Sequence, residues 1–208
     1  MTAEQSKADQ AREKILINAI QEFALQGYNK ASTNRIMEEA GMAKGLLFHY
    51  FSNKPKLYLA CLDKVLSEFQ IQLDQFMQHM SQDIFERLAS YLRWKSELFH
   101  SKPITFRFLL GINKLPPEVR QRADSALAAW RKKNSQLLAD YDATLWDPGV
   151  NQRDALEIVV LLFDSLDNRW MQEMDAGAFQ DREKMLNHAL RLLDVLRAGF
   201  YLDPDRQK

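Results

Sequence analysis

The 208-residue chain has one cysteine, Cys61, and no long hydrophobic run. A single cysteine excludes an internal disulfide framework and any metal site built from several cysteines. The longest apolar runs, 57–62 and 158–163, have six residues each, whereas a membrane-spanning helix needs ~20. The polar first ten residues have no signal-peptide core. These absences predict a cytoplasmic protein that does not enter the membrane.

Glycine and proline are also scarce, with seven and six residues. Apolar residues recur at spacings of three and four, which is typical of amphipathic helices, so the sequence predicts an all-α fold. We expect a first helix at 11–26 that ends at Gly27, short helices at 33–40 and 43–51, and a long helix from Pro55 to about Met80. Further helices are predicted at 84–100, 103–113, 117–142, 152–175 and 179–199.

The helix pattern divides the chain into a three-helix head, residues 1–52, and a larger helical body, residues 53–208. The whole chain has 28 basic and 28 acidic residues, and this neutrality alone gives no hint of a nucleic-acid partner. The first 62 residues hold eight basic and six acidic residues. Within 40–62, Lys44, Lys54 and Lys56 occur without any acidic residue. The basic excess therefore lies in the first 62 residues, which include the start of the helix that follows the head.

Two short helices separated by a glycine-containing turn are typical of the helix-turn-helix, whose second helix enters the DNA major groove. Here that recognition helix is predicted at 43–51. Leu47 and Phe51 are four residues apart and are expected to anchor it on the first helix. Ala43 and Gly45 are small enough to let the backbone approach the duplex. The alternative is a solvated helix pair whose aromatic side chains belong to a core.

The segment Ile15–Leu59 resembles the DNA-binding head of the TetR family of transcriptional regulators. The resemblance is carried by Phe23, Gly27-Tyr28, Ser32-Thr33, Ile36, the run 40–45, Phe48-His49-Tyr50-Phe51 and Asn53-Lys54. The rest of the chain resembles the family only in length and helical layout. The resemblance implies a homodimer that binds a palindromic operator in double-stranded DNA. It also implies that a small-molecule effector in the body, the ligand-binding and dimerisation domain, releases the DNA.

The predicted DNA-binding residues are Ser32, Thr33, Ala43, Lys44, Gly45, Leu46, Phe48, His49, Tyr50 and Lys54. The resemblance places Thr33 and Lys54 at phosphate-contacting positions and Lys44 at a base-reading position. Phe48 departs from the family, which usually has a tyrosine there whose hydroxyl reaches phosphate. We hypothesise that Tyr50 supplies this hydroxyl instead.

Most of the aromatic side chains lie in the body. They predict a site for an apolar or aromatic effector lined by Trp94, Phe99, Phe106, Trp130, Phe163, Asp167 and Trp170. Asp167 lies one helical turn from both Phe163 and Trp170, where its carboxylate would suit a cationic ligand. The alternative is that these aromatic residues are core and that Asp167 faces solvent or an interface.

The predicted helix 152–175 has two apolar stripes, and one of them is available for a partner. Its second stripe is Ile158, Leu161, Leu162 and Ser165. The last helix adds Leu186, Leu190 and Leu193. As the family resemblance implies, two copies of these helices are expected to form a four-helix dimer interface.

An enzyme is the competing class. Glu97 and His100 form one Glu-x-x-His quartet, but a helical di-iron site needs two quartets and two further glutamates. The sequence also has no glycine-rich phosphate loop and no nucleophile elbow. We therefore expect no catalytic residues, metal or cofactor. Two alternatives remain: an all-α enzyme with a site assembled from distant residues, and a DNA-binding or interaction module that responds to no ligand.

Overall fold

The computed structural model describes residues 3–175 and 182–202. Within these ranges the regular structure is helical apart from one antiparallel bridge between Trp146 and Tyr201, so the predicted all-α fold is confirmed. The α-helices are α1 (Ala3–Lys30), α2 (Thr33–Glu39), α3 (Leu46–Phe51), α4 (Lys54–Met77), α5 (Ile84–Ser101), α6 (Pro103–Leu110), α7 (Pro117–Asn134), α8 (Gln152–Asp175) and α9 (Arg182–Phe200). Short 3-10 turns lie at Gly111–Lys114, Ser135–Leu138 and Ala143–Leu145.

The chain packs as two compact units. The first comprises Met1–Gln75 and Lys102–Lys133, and the second comprises Phe76–Ser101 and Asn134–Lys208. The first unit therefore holds α1–α3, most of α4, α6 and nearly all of α7. The second holds α5, α8 and α9. The proposed domains, 1–52 and 53–208, stay a prediction, since the head shares its unit with α6 and α7.

The first long helical stretch is interrupted at Gly27, where the sequence predicts its end, and a short second stretch follows to Lys30. Gly27 has φ 72° and ψ 165°, a conformation that glycine adopts without a Cβ clash. The chain then resumes helical geometry, and the Ala31 amide donates to the Gly27 carbonyl at 3.0 Å. Gly27 is therefore a kink that leads α1 on to Lys30.

The recognition helix is shorter than predicted. It begins at Leu46 rather than Ala43. Gly41, at φ 68°, reverses the chain after α2, and the Leu46 amide donates to the Ala43 carbonyl at 3.0 Å, which makes 43–46 a turn. Leu47 and Phe51 are buried, at 1% and 4% exposure, and they hold α3 against the head.

In the second unit, the prediction of a helix to residue 142 is wrong because Arg87 binds the carbonyl groups beyond α7. This arginine is 2% exposed. It donates to the carbonyls of Leu137, Ala139 and Asp140 at 3.2, 2.5 and 3.0 Å. Asp140 has φ 52°, so the chain leaves helical geometry there. In the first unit, the helix predicted at 103–113 ends at Leu110, and the chain continues as a 3-10 turn. Residues 179–181 of the last predicted helix lie outside the described ranges.

Candidate nucleic-acid interface

A buried carboxylate and a serine hydroxyl position the start of α2. Ser32 is the N-cap, and its Oγ accepts from the Arg35 amide at 3.4 Å. The Ser32 amide donates to Glu22 Oε1 at 3.0 Å, and Glu22 is 7% exposed. The other carboxylate oxygen lies 3.6 Å from Arg35 Nε. Glu22 on α1 thus fixes the helix that begins at Thr33. Whether Ser32 and Thr33 contact DNA stays a prediction.

The outer surface of α3 combines apolar and polar side chains. Phe48 is 63% exposed and Leu46 is 40% exposed. Lys44, His49, Ala43 and Gly45 are also exposed, while Tyr50 is half-buried with its ring 5.2 Å from that of His49. The predicted DNA-binding residues at 43–46 and 48–50 therefore lie on one accessible segment. Their contacts with DNA stay predictions.

Lys54 has structural contacts that the sequence did not indicate. Its Nζ donates to the carbonyl of Ala31 at 2.7 Å and to that of Asn29 at 3.2 Å. The ammonium also lies 5.0 Å from the centre of the Tyr28 ring. Burial lowers the pKa of Lys54, while the nearby Glu22 carboxylate acts in the opposite direction. The lysine joins the start of α4 to the end of α1. A phosphate contact from it stays a prediction.

Two further cations support the head and were missed in the sequence. The Arg12 guanidinium lies 5.4 Å from the centre of the Phe51 ring, against the recognition helix. Lys64 on α4 pairs with Glu13 on α1 at 2.5 Å and with Glu68 at 2.7 Å. Only the Lys64 pairing with Glu68, four residues apart, has a local sequence signal; the others join residues far apart in the chain.

The predicted effector residues fall into both units. Phe106 and Trp130 belong to the first, where Phe106 is buried and stacks on Phe69 at 5.2 Å between ring centres. Trp130 lines an open groove of about 520 Å³ between α4 and α7, with Leu66, Gln70 and Ile71 among its other lining residues. Trp130 Nε1 and Gln70 Oε1 are buried without a hydrogen-bond partner. Buried polar atoms are usually paired, so these two groove-lining residues each have an unsatisfied polar atom inside the protein.

The other predicted effector residues, Trp94, Phe99, Phe163, Asp167 and Trp170, belong to the second unit. Phe99 and Trp170 are buried and pack edge to face, with ring centres 5.5 Å apart. Trp94 and Phe163 each contact Tyr91, at 5.6 and 6.0 Å between ring centres. These contacts give the aromatic side chains a packing role inside the unit. Their contact with an effector stays a prediction.

Asp167 already has a cationic partner, which argues against the predicted role of binding a cationic ligand. Lys95 Nζ lies 2.5 Å from both carboxylate oxygens. The same ammonium lies 5.7 Å from the Tyr91 ring centre and 5.9 Å from that of Phe99. Burial opposes the charge on Lys95, but Tyr91 and Asp167 outweigh it and raise the pKa of the lysine. The chain itself fills the position that the sequence assigned to a cationic ligand.

The predicted dimer residues differ in exposure. On α8, Ile158 and Leu161 are 45% and 61% exposed, Ser165 is exposed, and Leu162 is half-buried. On α9, Leu186 and Leu190 are half-buried. Leu193 is 2% exposed, so it packs within the chain and leaves no surface for a partner. Val195, which the sequence did not single out, is 68% exposed.

Neither a metal cluster nor a membrane span is found in the part of the chain that the structure describes. Within residues 3–175 and 182–202, no group of three or more His, Cys, Asp and Glu side chains is placed to hold a metal ion. None of the helices described there has the length and apolar character needed to cross a bilayer.

Comparisons with known proteins agree with this architecture. Residues 15–61 match the family model described as bacterial regulatory proteins, tetR family. The chain is 27% identical over 128 residues to the fatty acid metabolism regulator protein of Bacillus subtilis, covering 62% of this chain and 60% of that protein. The chain thus aligns with less than two thirds of that relative's length.

Solved structures share the fold over most of both chains. The fatty acid degradation regulator FadR of Bacillus halodurans has a TM-score of 0.70 at 18% identity, covering 87% of this chain and 96% of that one. FadR from Bacillus subtilis, described as a complex with stearoyl-CoA, has a TM-score of 0.66 at 18% identity with the same coverage. The segment 15–61 therefore matches the tetR family of bacterial regulatory proteins, and the chain as a whole shares the fold of these solved structures.

Proposed function

We propose that this chain is a repressor that binds a palindromic operator as a homodimer and leaves it when a small molecule binds the helical body. The observation that supports the proposal is the way in which α3 is anchored and exposed. This helix is anchored through Leu47 and Phe51 and presents Leu46, Phe48 and His49 to solvent. In a helix-turn-helix, a helix held in this way enters the major groove.

The modest charge of the head favours binding through two copies. The first 62 residues hold eight basic and six acidic residues, so this part of one copy has only a weak electrostatic attraction for phosphate. Two heads bind one face of the duplex when their recognition helices are about 34 Å apart, or a multiple of that distance. An effector that favours another separation by about 2–3 kcal/mol weakens operator binding by up to about 100-fold.

The surface that we propose for the second copy lies on α8 and α9. Ile158 and Leu161 are exposed on one stripe of α8, and Val195 is exposed on α9. Burial of these large apolar side chains against a symmetry-related copy of the same helices is energetically favourable. Leu162, Ser165, Leu186 and Leu190 belong to the same proposal, whereas the buried Leu193 does not.

For the effector, we propose a long-chain acyl thioester of coenzyme A. The complex of Bacillus subtilis FadR with stearoyl-CoA supports this class. In this chain, the groove beside Trp130 offers Leu66 and Ile71 to an acyl chain. Trp130 and Gln70 both line this groove, and each has a buried polar atom without a partner, a donor on Trp130 and an acceptor on Gln70. The amides of the pantetheine arm present both complementary groups.

The proposal is tested by selecting bound sequences from random double-stranded DNA and then titrating the recovered operator with ligands. We expect a palindrome that binds the dimer, and release by stearoyl-CoA but not by free coenzyme A. Failure to enrich any sequence contradicts the DNA-binding function. An operator complex that is insensitive to acyl thioesters of every chain length contradicts the effector class alone.

Two controls make the effector assay specific. Trp130→Phe keeps an aromatic ring and removes the Nε1 donor, so it is expected to weaken the response to stearoyl-CoA while operator affinity is unchanged. Ile17→Ala alters an exposed side chain on α1 and is expected to leave the response intact. Recovery of intact thioester after incubation separates a binding protein from a thioester-cleaving enzyme, which would release free coenzyme A.

A further inference from the structure

The recognition helix exposes two large apolar side chains that have no evident use in the free protein. Phe48 is 63% exposed and Leu46 is 40% exposed, while their neighbours Leu47 and Phe51 are 1% and 4% exposed. The helix is therefore already anchored without them. Exposed apolar surface of this kind gains free energy only when a partner covers it.

The two side chains lie on different flanks of the outer surface of α3. At about 100° per residue, positions 46 and 48 fall on the two sides of position 49, opposite Leu47 and Phe51. His49 is exposed between them. When the outer surface of α3 faces base edges, the flanking side chains face different base pairs, and the imidazole lies between them.

Base edges in the major groove offer one apolar group, the C5-methyl of thymine. Neither Phe48 nor Leu46 has a hydrogen-bonding group for the polar edges of the other bases or for phosphate. The geometry points to direct reading of thymine methyl groups by Phe48 and Leu46, at two separate positions in each operator half-site. This inference rests on the proposed operator binding and adds its base specificity.

The test replaces each thymine of the selected operator, one symmetric pair at a time, with deoxyuridine. This exchange removes only the C5-methyl and keeps every hydrogen bond of the base pair. At fixed salt, fluorescence anisotropy should show about fourfold weaker binding per methyl lost from a contact, and about 15-fold for a symmetric pair. Only the thymines read by α3 should respond.

Single variants assign each methyl group to its reader. Phe48→Ala is expected to abolish the deoxyuridine effect at one thymine and retain it at the other, and Leu46→Ala is expected to show the reverse. Phe48→Tyr keeps the ring and should keep the methyl effect. Both parent side chains are exposed, so unchanged thermal unfolding of the alanine variants is expected and is measured alongside. Ile17→Ala is the matched control for loss of an exposed apolar side chain.

The outcomes separate the inference from the function on which it rests. Specific operator binding that no deoxyuridine substitution weakens overturns the inference and leaves the regulator function in place. Methyl effects that persist unchanged in both alanine variants also overturn it. Failure to bind any selected sequence contradicts operator binding itself, and in that case exposed Phe48 and Leu46 belong to a different kind of interface.

Discussion

The ammonium nitrogen of Lys54 lies 2.7 Å from the carbonyl oxygen of Ala31. It therefore joins the first residue of α4 to the chain just beyond α1, and a second bond to the Asn29 carbonyl at 3.2 Å strengthens the same connection. The lysine orients α4 relative to the head before any DNA is present. An ammonium group has three donors, so the two carbonyl bonds leave one donor for the predicted phosphate contact.

Lys54→Met is accordingly expected to lower both stability and operator affinity. Loss of charged hydrogen bonds at this half-buried position should reduce the free energy of unfolding by about 1–2 kcal/mol. Urea denaturation measures that loss, and fluorescence anisotropy measures binding. Lys56→Met is the matched control, because Lys56 is an exposed lysine two residues further along α4. Equal stability of the two variants would show that the carbonyl contacts contribute nothing.

Glu22 gives a second prediction for the head. Its Oε1 accepts from the Ser32 amide at the start of α2, so Glu22→Ala leaves that donor without its partner and should cost about 1–3 kcal/mol. Glu22→Gln keeps an oxygen acceptor and should cost less. The ion pair with Arg35 adds little, because that side chain is 58% exposed and solvent screens it. Denaturant unfolding checks the order of the variants, with the exposed Glu39→Ala as control.

Local sequence signals predicted the bounds of some helices well. The helix predicted at 152–175 is observed as Gln152–Asp175. Its start follows Asn151, whose side-chain oxygen accepts from the Arg153 amide at 3.1 Å, a cap that is readable in sequence. The buried positions Leu47 and Phe51 were also predictable, because their spacing puts them on one side of a helix.

Other features depend on partners distant in sequence. The helix predicted to end at residue 142 ends at Asn134. The reason is that Arg87, about 50 positions earlier, donates hydrogen bonds to the backbone carbonyls that follow the helix. Lys95 was not expected beside Asp167, since the two residues are 72 positions apart. A helical stripe likewise does not distinguish packing within the chain from packing against a copy, and Leu193 proves to be buried within the chain.

The Lys95 and Asp167 pair predicts a pH dependence of stability. The pKa of Lys95 is raised in the folded protein. The ion pair therefore stabilises the folded state fully at pH values below the pKa of lysine in the unfolded chain, about 10.4. This stabilisation is lost as the pH rises through the higher pKa of Lys95 in the folded protein. The difference in unfolding free energy between the parent protein and Lys95→Met should accordingly shrink at strongly alkaline pH. Urea denaturation from about pH 8 upward measures it.

The control for this prediction keeps the lysine and removes the counter-charge. Asp167→Asn leaves the ammonium, which is 15% exposed, without its carboxylate and should lower stability near neutral pH. A Lys95→Met difference that stays constant across the alkaline range would contradict the proposed contribution of the ion pair.

The exposed apolar surface of α8 and α9 gives the last prediction. Leu161 and Val195 are 61% and 68% exposed, so replacing either with glutamate leaves packing within the chain nearly intact. In the proposed dimer the same change buries an unpaired carboxylate. Because each copy carries the substitution, the symmetric interface buries two such groups, which costs several kcal/mol in dimer stability. Leu161→Glu and Val195→Glu are expected to sediment as monomers at concentrations where the parent chain is dimeric.

Monomeric variants should also lose operator affinity, because a single head makes half of the phosphate and base contacts. Ile17→Glu is the matched control: Ile17 is 52% exposed on α1, and its replacement should leave the dimer unchanged. Circular dichroism checks that each variant keeps its helical content. If Leu161→Glu and Val195→Glu both remain dimeric by sedimentation equilibrium, this surface of α8 and α9 is not the dimer interface, and the copies must associate elsewhere.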